Sequence, residues 1–255
     1  MVIHWEITIP PLTGDEPRRA YVWLPDEWKK KPHRRYPVLY MFDGHNVFFD
    51  DHATYGKSWG MAKYMRRTRT PMIIAAVECN HGPNGERLSE YSPFTVDEPG
   101  LGGRVIGRGR TTMDWLVQSF KPMIDAEFPT LPDREHTFIA GSSMGGLMSL
   151  FAVTEYNHVF SRAACLSPSI WFAADRLDRL LRTAPLHKET VVYMDYGARE
   201  MKFHPGMKQQ FSRVTARLLE RDVCLVSRIV PRGDHCEACW EKQIPFFMDV
   251  LRYDC

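Results

Sequence analysis

Gly141-Ser142-Ser143-Met144-Gly145 carries the residue types that nucleophilic acyl chemistry needs, at the spacing it needs them. The pentapeptide follows a short β-prone run, His136 to Ala140, and leads into a helix-prone run. A serine at the centre of so tight a strand-to-helix turn is pushed out at the head of the sheet, and glycines two positions to either side keep side chains out of the neighbouring strand and helix. The helix beginning near Met144 points its N–H groups and positive dipole end at the same spot, where the negative oxygen of a tetrahedral intermediate would collect. Ser143 is thus the candidate nucleophile.

A serine hydroxyl is a weak nucleophile at neutral pH, so it needs a base to take its proton and an acid to hold that base in the correct tautomer. Three histidines lie between the elbow helix and the C-terminus: His187, His204 and His235. His187 precedes a strand, at the wrong end of the sheet, and His204 stands beside Pro205 at a helix start, where a solvated or capping role fits. His235 follows the last strand through Pro231-Arg232-Gly233-Asp234, so a loop at the carboxyl edge presents it toward Ser143. The acid must come from the turn after the strand Thr190 to Tyr196, where Glu200 and Asp195 compete. Glu200, beyond Gly197, can curve back to the imidazole; Asp195 lies in the strand end and could equally cap the next turn. Asp234 adjoins His235 and is poorly placed to reach its Nδ1. Of the two backbone donors an oxyanion needs, one is the N–H of Met144 and the other is expected from Asp43-Gly44-His45-Asn46, with the N–H of His45 preferred because Gly44 lets the chain approach closely.

These groups need a scaffold that brings strand ends together. Val2 to Pro10 and Arg19 to Pro25 read as early strands, Tyr36 to Phe42 and Pro71 to Cys79 as buried strands, and Lys57 to Arg67 as a helix between them. After a long irregular region, Thr111 to Phe128 has the apolar spacing of an amphipathic helix. Past the elbow come helix Met144 to Tyr156, strand Ser161 to Leu166, helix Ala174 to Arg182, strand Thr190 to Tyr196, helix Gly206 to Arg221, strand Val223 to Val230 and helix Glu237 to Leu251. Such alternation predicts an α/β fold: a mostly parallel central sheet flanked by helices, with ligands at the carboxyl ends of the strands. The single short helix between Trp171 and Thr190 leaves little room for a large cap. The glycine-rich stretch Asn80 to Arg110 is too long for a passive connection and is expected to wall the pocket.

Composition excludes several functions. The chain has 255 residues, 44% of them hydrophobic, which suits one domain over residues 1–255. Net charge is +2, from 33 basic and 31 acidic residues, so no global field favours nucleic acid or anionic lipid. The basic run Lys29 to Arg35 reads as a solvated connection. No apolar stretch is long enough to span a bilayer, and Met1 to Pro10 alternates like a strand instead of opening a secretion signal. A cytoplasmic chain with six reduced cysteines is expected. Cys236-Glu237-Ala238-Cys239 has no second cysteine pair, so it reads as an accident and not as a zinc or redox motif; neither metal nor cofactor is implied.

Several segments together resemble the esterase family of α/β-hydrolases that includes enterochelin (siderophore) esterases, feruloyl and acetyl-xylan esterases, S-formylglutathione hydrolase and mycolyltransferases. Asp43-Gly44-His45-Asn46-Val47-Phe48 looks like its Asp-Gly-x-Asn-x-Phe loop, and Arg87 with Glu90-Tyr91-Ser92-Pro93 like its Arg-x-x-Glu-Tyr-Thr/Ser-Pro element. The elbow with Gly146, Ser167-Pro168-Ser169-Ile170-Trp171, and Gly233-Asp234-His235 with Trp240 match further motifs, over nearly the whole chain. The resemblance implies the α/β-hydrolase fold, a serine esterase working through an acyl-enzyme on a small-molecule ester, and an acid at Glu200, where the family often has Asp. Siderophore-type, small aromatic or acetyl esters are expected, with carbohydrate esters or acyl transfer as alternatives. A binding module without catalysis is disfavoured, since all three triad residue types occur in order. For substrate contacts the candidates are Trp171 and Phe172, which could stack on a ring, and Arg104, Arg108 and Arg110, with Arg108 preferred, which could receive a carboxylate or catecholate.

Overall fold

A computed structural model of the chain describes residues 1–98, 103–202 and 205–253. In chain order its elements are β1 (Val2–Thr8), α1 (Pro10–Thr13), β2 (Pro17–Trp23), β3 (Val38–Met41), α2 (Met61–Thr68), β4 (Ile73–Val77), α3 (Glu86–Glu90), β5 (Val96–Glu98) and β6 (Gly103–Val105). Next come α4 (Gly109–Trp115), α5 (Lys121–Glu127), β7 (Thr137–Ser142), α6 (Met144–Glu155), β8 (Arg162–Leu166) and α7 (Ala174–Thr183). The chain closes with β9 (Val191–Gly197), α8 (Met207–Leu219), β10 (Cys224–Val230), α9 (Glu237–Glu241) and α10 (Ile244–Leu251).

Eight strands form one sheet in the order β1-β2-β4-β3-β7-β8-β9-β10. β1 and β2 pair antiparallel, as do β2 and β4; from β4 to β10 every pairing is parallel. Side chains alternate between two buried faces. Val38, Tyr40, Ile139, Ala163, Cys165, Val192 and Met194 join one core with Met113, Ile124, Leu147, Leu177 and Val214 of helices α4 to α8. Leu39, Met41, Phe138, Ala140, Ala164 and Tyr193 join the other, against Met61 and Met65 of α2 and Phe247, Met248 and Leu251 of α10. Burial on both faces is why these strands read as apolar runs without alternation. Helix α6 is buried at every position except Glu155, so it too is apolar all round.

Three expected elements differ. The helix expected over Thr111 to Phe128 is interrupted: Pro122 has no N–H to donate, and the turn before it widens so that Lys121 N–H bonds Leu116 O. The last helix breaks into α9 and α10, with Pro245 in the first turn of α10. The irregular stretch 80–110 holds α3 and the β5–β6 hairpin, while Gly100 and Gly102 lie outside the described residues. Two of its glycines serve packing: a Cβ on Gly107 or Gly109 would strike the backbone of Phe94 or Ser92. Asn80, His81 and Arg87 are its contribution to the main cleft. No helix among the described residues is long and apolar enough to cross a membrane.

β2 is tied to α3 by a buried ion pair, Arg18 Nη1 to Glu90 Oε1 at 2.7 Å, with both side chains at most 5% exposed. Burial raises the Glu90 carboxyl even with the guanidinium beside it. Removing one partner strands the other charge in the core, whereas replacing both removes the problem. Arg18→Met should therefore cost about 3 kcal/mol in urea denaturation, and the double variant Arg18→Met/Glu90→Met should recover most of that loss.

Candidate active site

Ser143 stands between β7 and α6 with φ 58° and ψ −122°, a conformation that L residues rarely hold. The surrounding structure over-determines it. Ser143 N–H bonds Leu166 O at 3.0 Å, and its own carbonyl accepts from Ser169 N–H at 3.0 Å and from Leu147 N–H at 3.0 Å. Three glycines allow the packing around it. A Cβ on Gly141 would lie 2.6 Å from the Gly145 backbone, one on Gly145 3.1 Å from Phe42 Cβ, and one on Gly146 2.9 Å from Leu166 O. The turn therefore presses against the ends of β3 and β8 with no room for side chains.

His235 Nδ1 lies 2.6 Å from Glu200 Oε2. The other carboxylate oxygen, Glu200 Oε1, accepts from Ser167 Oγ and from Gly197 N–H, each at 2.8 Å. Trp240 Nε1 in turn donates to Ser167 Oγ at 3.1 Å, and its ring meets the His235 imidazole edge-on at 5.0 Å. Glu200 is buried, and its carboxylate has a partner on each oxygen, so burial does not leave it unsatisfied. The loops that carry these groups touch backbone to backbone. A Cβ on Gly197 would overlap Gly233 O, Ala198 N–H bonds Val230 O at 2.9 Å, and Arg199 N–H bonds Gly233 O at 3.1 Å.

On the opposite side, Asp43 follows β3 at φ 57°. Arg87 clamps its carboxylate with two hydrogen bonds of 2.6 Å, and Asp43 N–H donates to the buried Tyr91 hydroxyl at 3.1 Å. Burial would raise the Asp43 carboxyl, but the guanidinium prevails and holds it below the ordinary range. Gly44 has no space for a side chain, since a Cβ there would lie 2.8 Å from the Val77 backbone. In the turn that follows, Asn46 N–H bonds Asp43 O and Val47 N–H bonds Gly44 O; the His45 N–H takes part in neither. Met144 N–H, the first of α6, has no intrahelical acceptor by position.

Asp43, His45, Arg87, Ser143, His235 and Trp240 line one cleft of about 630 Å³, a size suited to a small molecule. Other expected residues lie elsewhere. Asp195 is buried in β9, accepting from the Tyr193 hydroxyl at 2.6 Å, and burial pushes its carboxyl up to about 6. Arg108 does not line the cleft: its guanidinium donates to Leu12 O at 2.9 Å and to Pro11 O, which ties the start of α4 to α1. Substrate contact by Arg108 is thus corrected to a structural tether. Arg110 pairs with Glu155 at 2.7 Å, and Arg104 is exposed on the hairpin. Phe172 is fully buried, and Trp171, half-buried and edge-on to it, is not among the cleft-lining residues. His187 is exposed below the sheet, and His204 lies outside the described residues. Ser167 was not foreseen as a partner of the acid; its signal was the Ser-Pro pair at the end of β8.

Residues 13–246 match the Esterase family, described as "Putative esterase". An uncharacterized protein of Bacillus subtilis (strain 168), YbbA, is 21% identical over 206 residues, 79% of this chain and 76% of that one. Among solved structures, a ferulic acid esterase superposes with a TM-score of 0.72 at 16% identity, covering 98% of both chains. The siderophore hydrolase EstA from Aspergillus nidulans superposes with a TM-score of 0.70 at 18% identity, covering 98% of this chain and 94% of that one. These likenesses show the α/β-hydrolase fold.

Two substitutions separate the candidate acids. Glu200→Gln should lower kcat by a factor of about 100 or more with little change in KM, because an amide can select the wrong imidazole tautomer and cannot stabilise an imidazolium. Asp195→Asn should be mild in activity but visible in stability. The folded-state value near 6 exceeds the ordinary 3.8, so the protonated carboxyl favours the folded state at low pH, and that contribution disappears as pH rises from 3.8 to about 6. Chemical denaturation should show the wild type losing stability relative to Asp195→Asn across that window. A constant difference would contradict the assignment.

Proposed function

Since the chain belongs to the Esterase family, we propose that it is a serine carboxylic-ester hydrolase working through an acyl-enzyme, with Ser143, His235 and Glu200 as its catalytic triad. The observation that carries this reading is the 2.6 Å bond from the buried Glu200 to Nδ1 of His235, a histidine that lines the same cleft as the strained Ser143. His235 Nε2 takes the hydroxyl proton as Ser143 Oγ attacks the acyl carbon. Glu200 holds the Nδ1–H tautomer and stabilises the imidazolium. The carbonyl oxygen, now negative, accepts from the N–H groups of Met144 and His45; one such donor contributes about 3 kcal/mol to the transition state. His235 then gives its proton to the leaving alcohol, and a water repeats the cycle on the acyl-enzyme. The His235 side chain is 36% exposed, which gives water a route to that intermediate and favours hydrolysis over acyl transfer.

The substrate we infer is a small ester of siderophore or aromatic-acid type, in keeping with the size of the cleft and with the ferulic acid esterase and siderophore hydrolase that share the fold. Residues 1–255 act as one domain. The described cysteines are free thiols, which fits a reducing, cytoplasmic setting.

Ser143→Ala should remove at least about 99.9% of turnover of a p-nitrophenyl acyl ester while circular dichroism stays unchanged. Near-normal activity would defeat the nucleophile assignment. A panel of catecholate trilactones, feruloyl esters and acetylated sugars should give its highest kcat/KM on one of the first two classes. Preference for acetylated sugars would overturn the substrate inference alone.

A further inference from the structure

Three side chains that the triad chemistry does not use meet on the wall of the cleft nearest Asp43. His45 comes from the turn after β3, and Cys79 and His81 from the loop after β4. One potential ligand atom from each lies within 4.8 Å of the other two. The rings of His45 and His81 meet edge-on with centroids 4.3 Å apart.

His45 is 4% exposed, and its Nε2 lies 3.0 Å from Thr54 Oγ1. Its Nδ1 is buried and has no hydrogen-bond partner among the described residues. A buried ring nitrogen without a partner is unfavourable and requires an explanation. In the tautomer whose Nε2–H donates to Thr54 Oγ1, Nδ1 carries the free lone pair.

We propose that His45, Cys79 and His81 form a binding site for a divalent ion of the zinc class. Two imidazoles and a thiolate are the donor set such ions prefer, whereas Mg²⁺ and Ca²⁺ require oxygen ligands. Cys79 binds as thiolate, releasing its proton to solvent. Zinc takes four ligands, and a cleft-borne water or an anionic oxygen of a bound molecule completes the set. Thr54, bonded to Nε2, orients the buried imidazole in the way outer partners of metal-bound histidines do. The site stands independently of the esterase reading.

The test is calorimetric titration of the purified protein with ZnCl2, together with absorption spectra on adding CoCl2. One ion per chain and a thiolate-to-cobalt charge-transfer band are expected, and MgCl2 should give no binding heat. Cys79→Ser should remove the band and weaken zinc binding by more than about 100-fold, beyond the loss of an outer partner. His81→Asn, a change at an exposed residue, should weaken it at least about 10-fold. The double variant Cys236→Ser/Cys239→Ser should retain both signals. Absence of zinc binding, undiminished binding in folded Cys79→Ser and His81→Asn, or loss of the band only in the Cys236/Cys239 variant would overturn the proposal.

Discussion

The carboxylate of Glu200 joins the loops after three adjacent parallel strands. Ser167 after β8, Gly197 at the end of β9 and His235 after β10 all bond to its two oxygens, at 2.6 to 2.8 Å. A carboxyl group this deeply buried is tolerable only because each oxygen has a partner, and those partners fix the loops that bear them. The orientation of the His235 ring follows from this arrangement, and Trp240 reinforces it by bonding Ser167 and meeting the imidazole edge-on. The three buried or strained groups of this region, Ser143, Ser167 and Glu200, support one another: Ser167, also at positive φ, sits one residue past Leu166, whose carbonyl receives Ser143 N–H.

A second buried carboxylate organises the opposite wall. Asp43 stands at positive φ and is held there by two bonds from Arg87 and one to Tyr91, so the turn bearing His45 has little freedom. The helix N-terminus at Met144 and this turn approach each other because Gly145 offers no side chain between them. Preorganised backbone donors are effective in catalysis because they need no rearrangement when charge develops. Asp195 shows the contrast: equally buried, it accepts from a tyrosine hydroxyl, and desolvation outweighs the attraction of Arg228 on the neighbouring strand, so its carboxyl is raised toward neutrality.

Close backbone approach is the constraint shared by all these contacts. Gly141 against Gly145, Gly146 against Leu166 and Gly197 against Gly233 let main chains pack where any Cβ would collide. Apolar burial on both sheet faces supplies the cohesion, and the glycines decide how near to one another the loops of the candidate site can come.

Local pattern in the sequence determined the strands, the elbow at Ser143, the order of candidate nucleophile, acid and base, and the position of His235 beyond the last parallel strand. Those features depend on turn chemistry and on periodicity within about ten residues, which are written locally. The interruption near Pro122 was not read from the sequence, because amphipathic spacing on both sides of the proline concealed it. What only the tertiary structure decided were partnerships between distant residues. Asp195 and Glu200 differ by five positions and both border the right strand, yet only one carboxylate reaches His235, because the chain turns back after Gly197 onto the Gly233 loop. Arg108 stood on a glycine-rich loop as if to meet substrate, and its partners proved to be carbonyls of Pro11 and Leu12, nearly a hundred residues earlier. His45, Cys79 and His81 have no motif spacing at all. They converge because β3 and β4 lie side by side in parallel, so the loops at their carboxyl ends share one wall, and strand order is a property of the packed sheet that no short stretch of sequence encodes.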